Sequence, residues 1–252
     1  MILTIDIGNT FICLALSKDG QVIERKELHT KRKASAFHYF KAVRTNLKLK
    51  YDKLAVRQVV IASVVPSLTA KFVSITMRLF NVVPHVLTAH SKLNTELEID
   101  HPEEVGADII AAAVAVKAQK RYPAIVVDLG TANKYIYINE HGNFAGVVIS
   151  GGLMLSFDAL TKKAEKLRDI PLEAPNKVLG KNTIDALSSG LFYRTQAEIK
   201  SFVQLIEKEV DKKCQVIVTG GSVPLIKKML PKSYMINQDL IHQGLLVVGQ
   251  LN

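Results

Sequence analysis

Short apolar runs alternate with polar turns at the start of the chain, a pattern that predicts a β-hairpin. The apolar run Met1 to Ile5 leads into the turn sequence Asp6-Ile7-Gly8-Asn9-Thr10. A second apolar stretch follows and ends at Asp19-Gly20, after which a third strand candidate begins. We therefore predict a buried strand, a polar turn and a hairpin in this order.

The same arrangement returns in the middle of the chain. The apolar run Ala124 to Val127 leads into Asp128-Leu129-Gly130-Thr131-Ala132, and His141-Gly142 marks the turn after the next strand. In both stretches the glycine of the second turn follows that of the first by the same number of residues. A weaker repeat pairs Val59–Ser63 with Val216–Gly220. The sequence therefore predicts two similar α/β halves.

Helical periodicity fills the segments between these strands. It predicts helices over Pro102–Arg121 with a possible cap at Asp100, over Leu153–Leu167, and over Thr183–Val210 after Asn182. A basic helix end meets a proline at Arg121-Tyr122-Pro123, so we place the boundary there and predict halves of residues 1–121 and 122–252. No linker separates the halves, so we expect them to pack around a cleft. Such a cleft is the expected place for a ligand-binding site.

Composition limits the class of protein. The 252 residues are 48% hydrophobic and 22% charged, which excludes a disordered chain. No uncharged apolar run is long enough to cross a bilayer, no secretory signal is evident, and the two cysteines lack metal-ligand spacing. We expect a cytoplasmic protein without a membrane partner.

The formal net charge of +10 indicates anionic partners. The segment from Lys31 to Arg57 holds nine lysines and arginines against one acidic residue, and could bind nucleic acid. However, apolar residues recur there at helical spacing, which favours a solvated amphipathic helix. They are Phe37, Phe40, Val43 and Leu47.

The two repeated turns have the composition of a phosphate site. In each, an Asp ends a buried strand, a glycine follows two positions later, and Thr10 or Thr131 supplies a hydroxyl. Glycine lets backbone N–H groups approach an anion, and the carboxylate can hold a cation or its water shell. An Asp-x-Gly turn can also simply close a hairpin. Neither turn is a Walker loop or a dinucleotide fingerprint.

A doubled strand–Asp–Gly–Thr hairpin resembles the superfamily of acetate and sugar kinases, heat-shock ATPases and actin. Within it, the chain resembles the type III pantothenate kinases along nearly its whole length. The motifs that carry this resemblance are residues 6–10, 102–108, 128–132, 153–160, 180–183, 189–190 and 219–221. The resemblance implies an α/β fold of two duplicated ribonuclease-H-like, actin-like halves with mixed sheets and an interdomain ATP cleft.

The resemblance also implies a function. It is transfer of the ATP γ-phosphate to the primary hydroxyl of pantothenate, the first step of coenzyme A biosynthesis, in a homodimer that uses magnesium and a monovalent cation, K⁺ or NH₄⁺. The ATP-binding residues would be Asp6, Gly8, Asn9, Thr10 and Thr131. Asp6 would hold magnesium through water, and Asp128 would bind the monovalent cation.

On the acceptor side, the resemblance makes Asp108 the general base. A carboxylate beside the substrate alcohol can accept its proton, although a first-turn aspartate can equally be a solvated helix residue. Gly106, Ala107, Asp108 and Thr183 would bind pantothenate. For Thr183, helix capping or a place in the first turn after Asn182 is the alternative.

Four positions depart from the family pattern. Ile109 stands where the family has an arginine that would bind the pantothenate carboxylate, and Ile99 stands where a tyrosine is common. Asn133-Lys134 replaces threonines, and Gly151 replaces a proline. Another cation, either Lys134 or a residue of a second subunit, could replace the arginine. The alternatives are a diverged paralogue that phosphorylates another small hydroxyl compound and a non-catalytic regulatory protein.

Overall fold

The computed structural model describes residues 1–47, 56–164, 167 and 170–252. The strands are β1 Ile2–Ile7, β2 Phe11–Lys18, β3 Gln21–His29, β4 Gln58–Ser63, β5 His85–Val86, β6 Ala124–Leu129, β7 Ala132–Ile138, β8 Phe144–Gly151, β9 Gln215–Thr219 and β10 Met235–Ile236. The helices are α1 Ala36–Asn46, α2 Pro66–Phe80, α3 Ala107–Ala118, α4 Leu153–Lys163, α5 Thr183–Glu209, α6 Val223–Ile226 and α7 Leu240–Leu251.

These elements form two compact units. Unit 1 comprises Met1–Lys120, Gly142–Phe144 and Asp239–Asn252, and unit 2 comprises Arg121–His141 and Ala145–Gln238. The division differs from the predicted halves at the C-terminus, because α7 packs against α3, β1 and β4 of unit 1. Because the C-terminal segment Asp239–Asn252 belongs to unit 1, no single boundary in the sequence separates the two units.

The predicted duplication of the strand pattern is present in the two sheets. The sheet of unit 1 has the order β3-β2-β1-β4-β5, and that of unit 2 has the matching order β8-β7-β6-β9-β10. In each sheet the first strand pairs antiparallel with the second and parallel with the fourth. Because the Asp of each turn lies near the carboxyl end of that central strand, the two turns occupy equivalent places in their units.

Burial explains why the central strands read as continuous apolar runs. All six residues of β6 are buried, and four of the six residues of β4 are. Strands covered on both faces favour apolar side chains along most of their length, and Asp128 near the end of β6 is the exception, whereas β3 at the sheet edge alternates. The fully apolar runs therefore marked the strands that carry the candidate site.

The predicted helix over Pro102–Arg121 is wrong at its start. Pro102–Glu104 is a short 3-10 turn, Val105 is extended, and α3 begins only at Ala107 after a nonhelical Gly106 with ψ of 137°. Asp100 is therefore not its cap. The break places Asp108 in the first turn of α3.

The other predicted helices start where expected. α4 begins at Leu153, and α5 begins at Thr183 and ends at Glu209. The last residues of the predicted helix Leu153–Leu167 extend beyond α4, and 165 and 166 lie outside the described residues.

The basic segment 31–57 contains the predicted amphipathic helix as α1. Ser35 caps α1 by accepting a hydrogen bond from the His38 N–H at 3.2 Å, and Tyr39 and Val43 form its buried face. Phe37, predicted on the apolar face, is 64% exposed, because Tyr39 and Val43 form the buried face of α1 instead. Residues 48–55 of the segment lie outside the described residues.

Among the described residues, no helix combines the length and the apolar character that a membrane span requires.

Candidate active site

The first candidate phosphate turn follows β1 in unit 1. The Gly8 N–H donates to the Phe11 carbonyl at 2.9 Å, and a Cβ on Gly8 would lie 2.9 Å from that same oxygen. The Thr30 hydroxyl donates to the Gly8 carbonyl at 2.7 Å. Asp6 is half-buried at the strand end, whereas the Asn9 and Thr10 side chains are exposed. The turn is thus fixed by its own backbone and keeps its polar side chains accessible.

Arg32 is a neighbour of this turn that the sequence did not identify. Its guanidinium donates to Asn9 Oδ1 at 2.7 Å. The Lys71 ammonium donates to the Arg32 carbonyl at 3.3 Å and so helps to hold that segment. Arg32 lies in the basic run Lys31 to Lys33, and the sequence alone does not show its contact with Asn9.

The candidate general base Asp108 lies in the first turn of α3. Its Oδ1 accepts a hydrogen bond from the Ile109 N–H at 2.9 Å, and its side chain is half-buried. A Cβ built on Gly106 would lie 2.5 Å from Asp108 Oδ1. The absence of a side chain at Gly106 therefore leaves room for the carboxylate.

Val64 brings the acceptor-side and nucleotide-side residues of unit 1 together. Its N–H donates to the Ile7 carbonyl at 3.0 Å, at the point where β1 enters the phosphate turn. Its Cγ1 lies 3.4 Å from the position a Gly106 Cβ would take. The start of α3, with Asp108, consequently lies beside the carboxyl ends of β1 and β4, where the Asp6–Thr10 turn begins.

The corresponding turn of unit 2 is closed by close backbone contacts. The Gly130 N–H donates to the Ala132 carbonyl at 3.3 Å, and the Gly152 N–H donates to the Thr131 carbonyl at 3.0 Å. A Cβ on Gly152 would overlap the Gly130 carbonyl oxygen. Thr131 is exposed at the tip of this turn. Gly152 is therefore required by packing, a role the sequence did not reveal.

Asp128, the predicted ligand of a monovalent cation, is 9% exposed and accepts a hydrogen bond from Lys134. Lys134 Nζ donates to Asp128 Oδ2 at 2.6 Å. The two residues face each other directly across β6 and β7. Lys134, which the sequence also suggested as a partner for the pantothenate carboxylate, is thus engaged with a protein carboxylate of its own unit.

A second carboxylate, Glu198, collects three donors in unit 2. Its Oε1 accepts from Asn133 Nδ2 at 3.2 Å, from the Tyr135 hydroxyl at 2.8 Å and from the Ser150 hydroxyl at 2.5 Å. Burial, followed by the contact with Glu198, raises the pKa of the Tyr135 phenol. The phenol is therefore a permanent donor that ties α5 to β7. The sequence offered no signal for this cluster, whose members come from three separate elements.

Thr183 lies in the first turn of α5 and is exposed. Asn182 caps the helix by accepting from the Asp185 N–H at 2.9 Å, and Asn182 Nδ2 donates to Asp185 Oδ2 at 2.8 Å. The first-turn alternative for Thr183 is therefore confirmed, while its contact with a substrate remains a prediction.

Both departures on the acceptor side lie in unit 1. Ile109 is 5% exposed within α3, and Ile99 is half-buried in the loop before it. Both positions thus carry aliphatic side chains in place of the arginine and tyrosine of the family pattern.

The donor sets differ in their fit to the two expected cations. Asp6 is a half-buried carboxylate near the end of β1, just before the exposed turn residues Asn9 and Thr10, and a single carboxylate of this kind suits magnesium held through water. Asp128 fits a monovalent ion poorly because an ammonium already contacts its Oδ2. His101, Glu103 and Glu104 also cluster, but all three are exposed.

Comparison with known proteins places the chain in a family. A family model described as type III pantothenate kinase matches residues 2–205. A type III pantothenate kinase of Halalkalibacterium halodurans is 35% identical over the whole length of both chains.

Two solved structures share the fold at low identity. A protein described as belonging to the Baf family of transcriptional activators, from Campylobacter jejuni, has a TM-score of 0.60 and 17% identity, over 98% of this chain and 96% of its own. Component A of (R)-2-hydroxyglutaryl-CoA dehydratase from Acidaminococcus fermentans has a TM-score of 0.55 and 11% identity, over 98% and 95%. The fold prediction, an α/β protein of two actin-like units with mixed sheets, is confirmed. By sequence, the chain belongs to the type III pantothenate kinase family.

Proposed function

We propose that the residues described above carry out the reaction of this family, ATP-dependent phosphorylation of pantothenate to 4'-phosphopantothenate, the first step of coenzyme A biosynthesis. Family membership over the full chain supports the reaction. The observation that carries the assignment of residues is the contact of Val64 with both Ile7 and the Gly106 position, because it brings Asp108 to the phosphate turn within unit 1.

The turn Asp6–Thr10 binds the phosphates of ATP in this proposal. Gly8 permits close approach of the backbone, and the exposed Asn9 and Thr10 supply hydrogen bonds. In unit 2, Thr131 donates its hydroxyl to the nucleotide. Arg32, which contacts Asn9, adds a positive charge beside the turn. Phosphoryl transfer depends mainly on such positioning and charge neutralisation.

Asp6 holds magnesium through water. When bound, the ion neutralises charge on the phosphate oxygens as the γ-phosphoryl group moves. Asp6 suits this role because it is a half-buried carboxylate near the end of a buried strand, directly before the turn.

Asp108 acts as general base. As the pantothenate oxygen bonds to the γ-phosphorus, its proton passes to the Asp108 carboxylate, and the bond from the γ-phosphorus to the bridging oxygen breaks to release ADP. The Ile109 N–H orients the carboxylate by donating to Oδ1. The proton afterwards leaves to solvent.

Pantothenate contacts Gly106, Ala107, Asp108 and Thr183 in this proposal. Compared with the family pattern, Ile99 lacks an aromatic hydroxyl and Ile109 lacks a guanidinium. Loss of a charge-assisted contact to a buried carboxylate costs about 2–5 kcal/mol. We therefore expect weak pantothenate binding with the phosphate-binding residues intact.

The working form is a cytoplasmic homodimer. Several large apolar side chains on unit 2 are exposed and suited to burial against a second copy. They are Val147, Ile149, Met154, Leu155, Leu160, Val178 and Leu179. An Ile149→Asp variant should dissociate in sedimentation velocity, since Ile149 is 60% exposed on the edge strand β8.

The test of function is ADP release by the purified protein with ATP and magnesium, with and without pantothenate. We expect pantothenate-dependent ADP formation. Asp108→Asn should lower kcat by about 10²- to 10⁴-fold, because general-base assistance is lost at constant shape. Glu104→Gln is the matched control, since Glu104 is an exposed carboxylate in the neighbouring 3-10 turn.

Equal losses in Asp108→Asn and Glu104→Gln would contradict the role of Asp108. ATP binding without turnover on pantothenate would instead favour the diverged or regulatory alternative. Turnover on a different hydroxyl compound would preserve the kinase and replace only the acceptor.

A further inference from the structure

Asp128 and Lys134 form an ion pair at the position where the family resemblance places a monovalent cation. Lys134 Nζ lies 2.6 Å from Asp128 Oδ2, and the two side chains are only 18% and 12% exposed. This distance is at the short end for a charge-assisted hydrogen bond between an ammonium and a carboxylate. The carboxylate is therefore neutralised by the chain itself.

The sheet register makes this pairing a built-in feature. Asp128 and Lys134 are directly opposite residues of the antiparallel pair β6 and β7. Opposite residues on such strands have Cβ atoms about 4.5–5.5 Å apart, so a lysine at this position reaches its partner. The strands themselves are fixed by the buried residues of β6.

The other oxygen of Asp128 faces a closed backbone turn. Gly220 has φ of +101°, and a Cβ there would lie 2.6 Å from Asp128 Oδ1. Gly220 belongs to the turn after β9, where the Ser222 N–H donates to the Leu129 carbonyl at 2.9 Å. The carboxylate thus lies between this turn on one side and the lysine on the other.

A primary ammonium and a free ammonium or potassium ion carry the same single charge. Lys134 also offers three N–H donors at its tip. A second cation about 4 Å from that tip would be repelled, at an effective dielectric constant of 20, by enough to weaken its binding roughly a thousandfold. A free monovalent cation and the Lys134 ammonium therefore cannot both bind at Asp128.

We propose that the Lys134 ammonium permanently replaces the monovalent cation on Asp128, so that this protein needs no added potassium or ammonium. The inference rests on the proposed function in one respect, namely that Asp128 is the cation position of the phosphotransferase. It revises the expectation of a K⁺ or NH₄⁺ cofactor for this chain. Lys134 is consequently paired with Asp128 rather than with the pantothenate carboxylate.

The experiment compares the melting temperature, Tm, and the rate of ADP formation in potassium, ammonium and choline chloride at matched ionic strength. Wild type should show the same Tm in all three salts and rates equal within about twofold. Lys134→Thr opens the site and keeps a strand-forming residue. Its Tm should be about 4 °C higher in potassium than in choline, and its rate about tenfold higher.

Two further variants distinguish potassium binding at Asp128 from the general effect of removing an ion pair. Lys213→Thr removes the exposed pair with Glu207, which has a similar length of 2.7 Å, and should gain no potassium response. An Asp128→Asn, Lys134→Met double variant removes both charges and should also be insensitive to the cation.

A potassium-specific rise of Tm or rate in wild type would overturn the proposal, as would a folded Lys134→Thr without any such rise. If Lys134→Thr folds only in potassium or ammonium, the proposal is supported. If Lys134→Thr fails to fold in all three salts, the comparison of wild type in the three salts decides the proposal alone. Absence of ADP formation in every protein would contradict the proposed function, whereas the Tm comparison would still test the ion site.

Discussion

The Thr4 hydroxyl lies 2.9 Å from His242 Nδ1, joining β1 to α7 inside unit 1. Thr4 is fully buried and His242 is 3% exposed. Burial, followed by the nearby charge of Arg25, lowers the pKa of His242 to about 3. The imidazole is therefore neutral in the folded protein at neutral pH.

This buried histidine predicts sensitivity to acid. In the unfolded chain its pKa is near 6.5, so below that pH the unfolded state binds a proton that the folded state rejects. Stability is full above pH 6.5 and falls as the pH drops toward 3. At pH 5 the loss due to His242 should be about 2 kcal/mol.

Urea unfolding at pH 5 and pH 7.5 measures this contribution. His242→Gln keeps a polar group facing Thr4 but cannot be protonated, so its free energy of unfolding should fall less between the two pH values. Equal pH dependence in wild type and His242→Gln would show that other groups cause the acid sensitivity.

A second prediction concerns the packing of α3 against α7. A Cβ on Gly244 would overlap the Ala111 carbonyl oxygen, so the two helices approach closely here. Gly244→Ala should therefore lower the free energy of unfolding by about 1–3 kcal/mol through overpacking. Gly190→Ala is the control, because Gly190 lies in helix α5 with nothing within 4 Å of the added Cβ.

Gly190→Ala should raise the free energy of unfolding by about 0.5–1 kcal/mol, since alanine is the better helix former. Calorimetric melting of both variants checks the pair. A Gly244→Ala protein as stable as wild type would mean that α7 can shift on α3 without cost.

The strands and both turns could be predicted from sequence because their signals are local. Full burial makes β6 apolar from Ala124 to Val127, and the repeated Asp-x-Gly turn marks the end of the central strand in each unit. The start of α3 could not be predicted. Helical spacing continues through Pro102–Gly106, but the extended Val105 and the nonhelical Gly106 interrupt it.

Contacts between distant segments left no local signal. The return of α7 to unit 1 depends on a glycine meeting Ala111, which the sequence does not distinguish from any other helical glycine. Likewise, Lys134 was identified as a cation near the site, but its partner follows from strand register. Residue types indicated candidate site residues, whereas the pairing of their side chains followed only from the fold.

Gly106 should control the orientation of Asp108. In Gly106→Ala the new Cβ would lie 2.5 Å from Asp108 Oδ1, so the carboxylate must rotate away and lose its bond to the Ile109 N–H. Misplacement of a reacting group by about 1 Å costs roughly 10²-fold in rate. We expect kcat to fall by about that factor, with a change in unfolding free energy below about 1 kcal/mol.

Gly221→Ala is the matched control for this measurement, because nothing lies within 4 Å of a Cβ at Gly221. Its kcat for ADP formation should stay at the wild-type value. If Gly106→Ala retains full kcat, the space beside the Asp108 carboxylate is not required for its function.

Ile109 should limit the affinity for the substrate carboxylate. It occupies the first turn of α3 next to Asp108, where the family pattern has an arginine. Ile109→Arg should lower the KM for pantothenate by about two decades, since a paired carboxylate gains a charge-assisted bond. Ile109→Leu, of equal size and no charge, should leave KM unchanged.

The mechanism of this gain can be checked with a neutral acceptor in which an amide replaces the pantothenate carboxylate. If arginine acts by pairing with the carboxylate, Ile109→Arg lowers KM for pantothenate and leaves KM for the amide as it was. Ile109 is 5% exposed, so the guanidinium must extend from α3 toward solvent or substrate to avoid burial. If KM changes equally for both acceptors, or if the variant unfolds, residue 109 affects the packing of α3 and not the recognition of the substrate carboxylate.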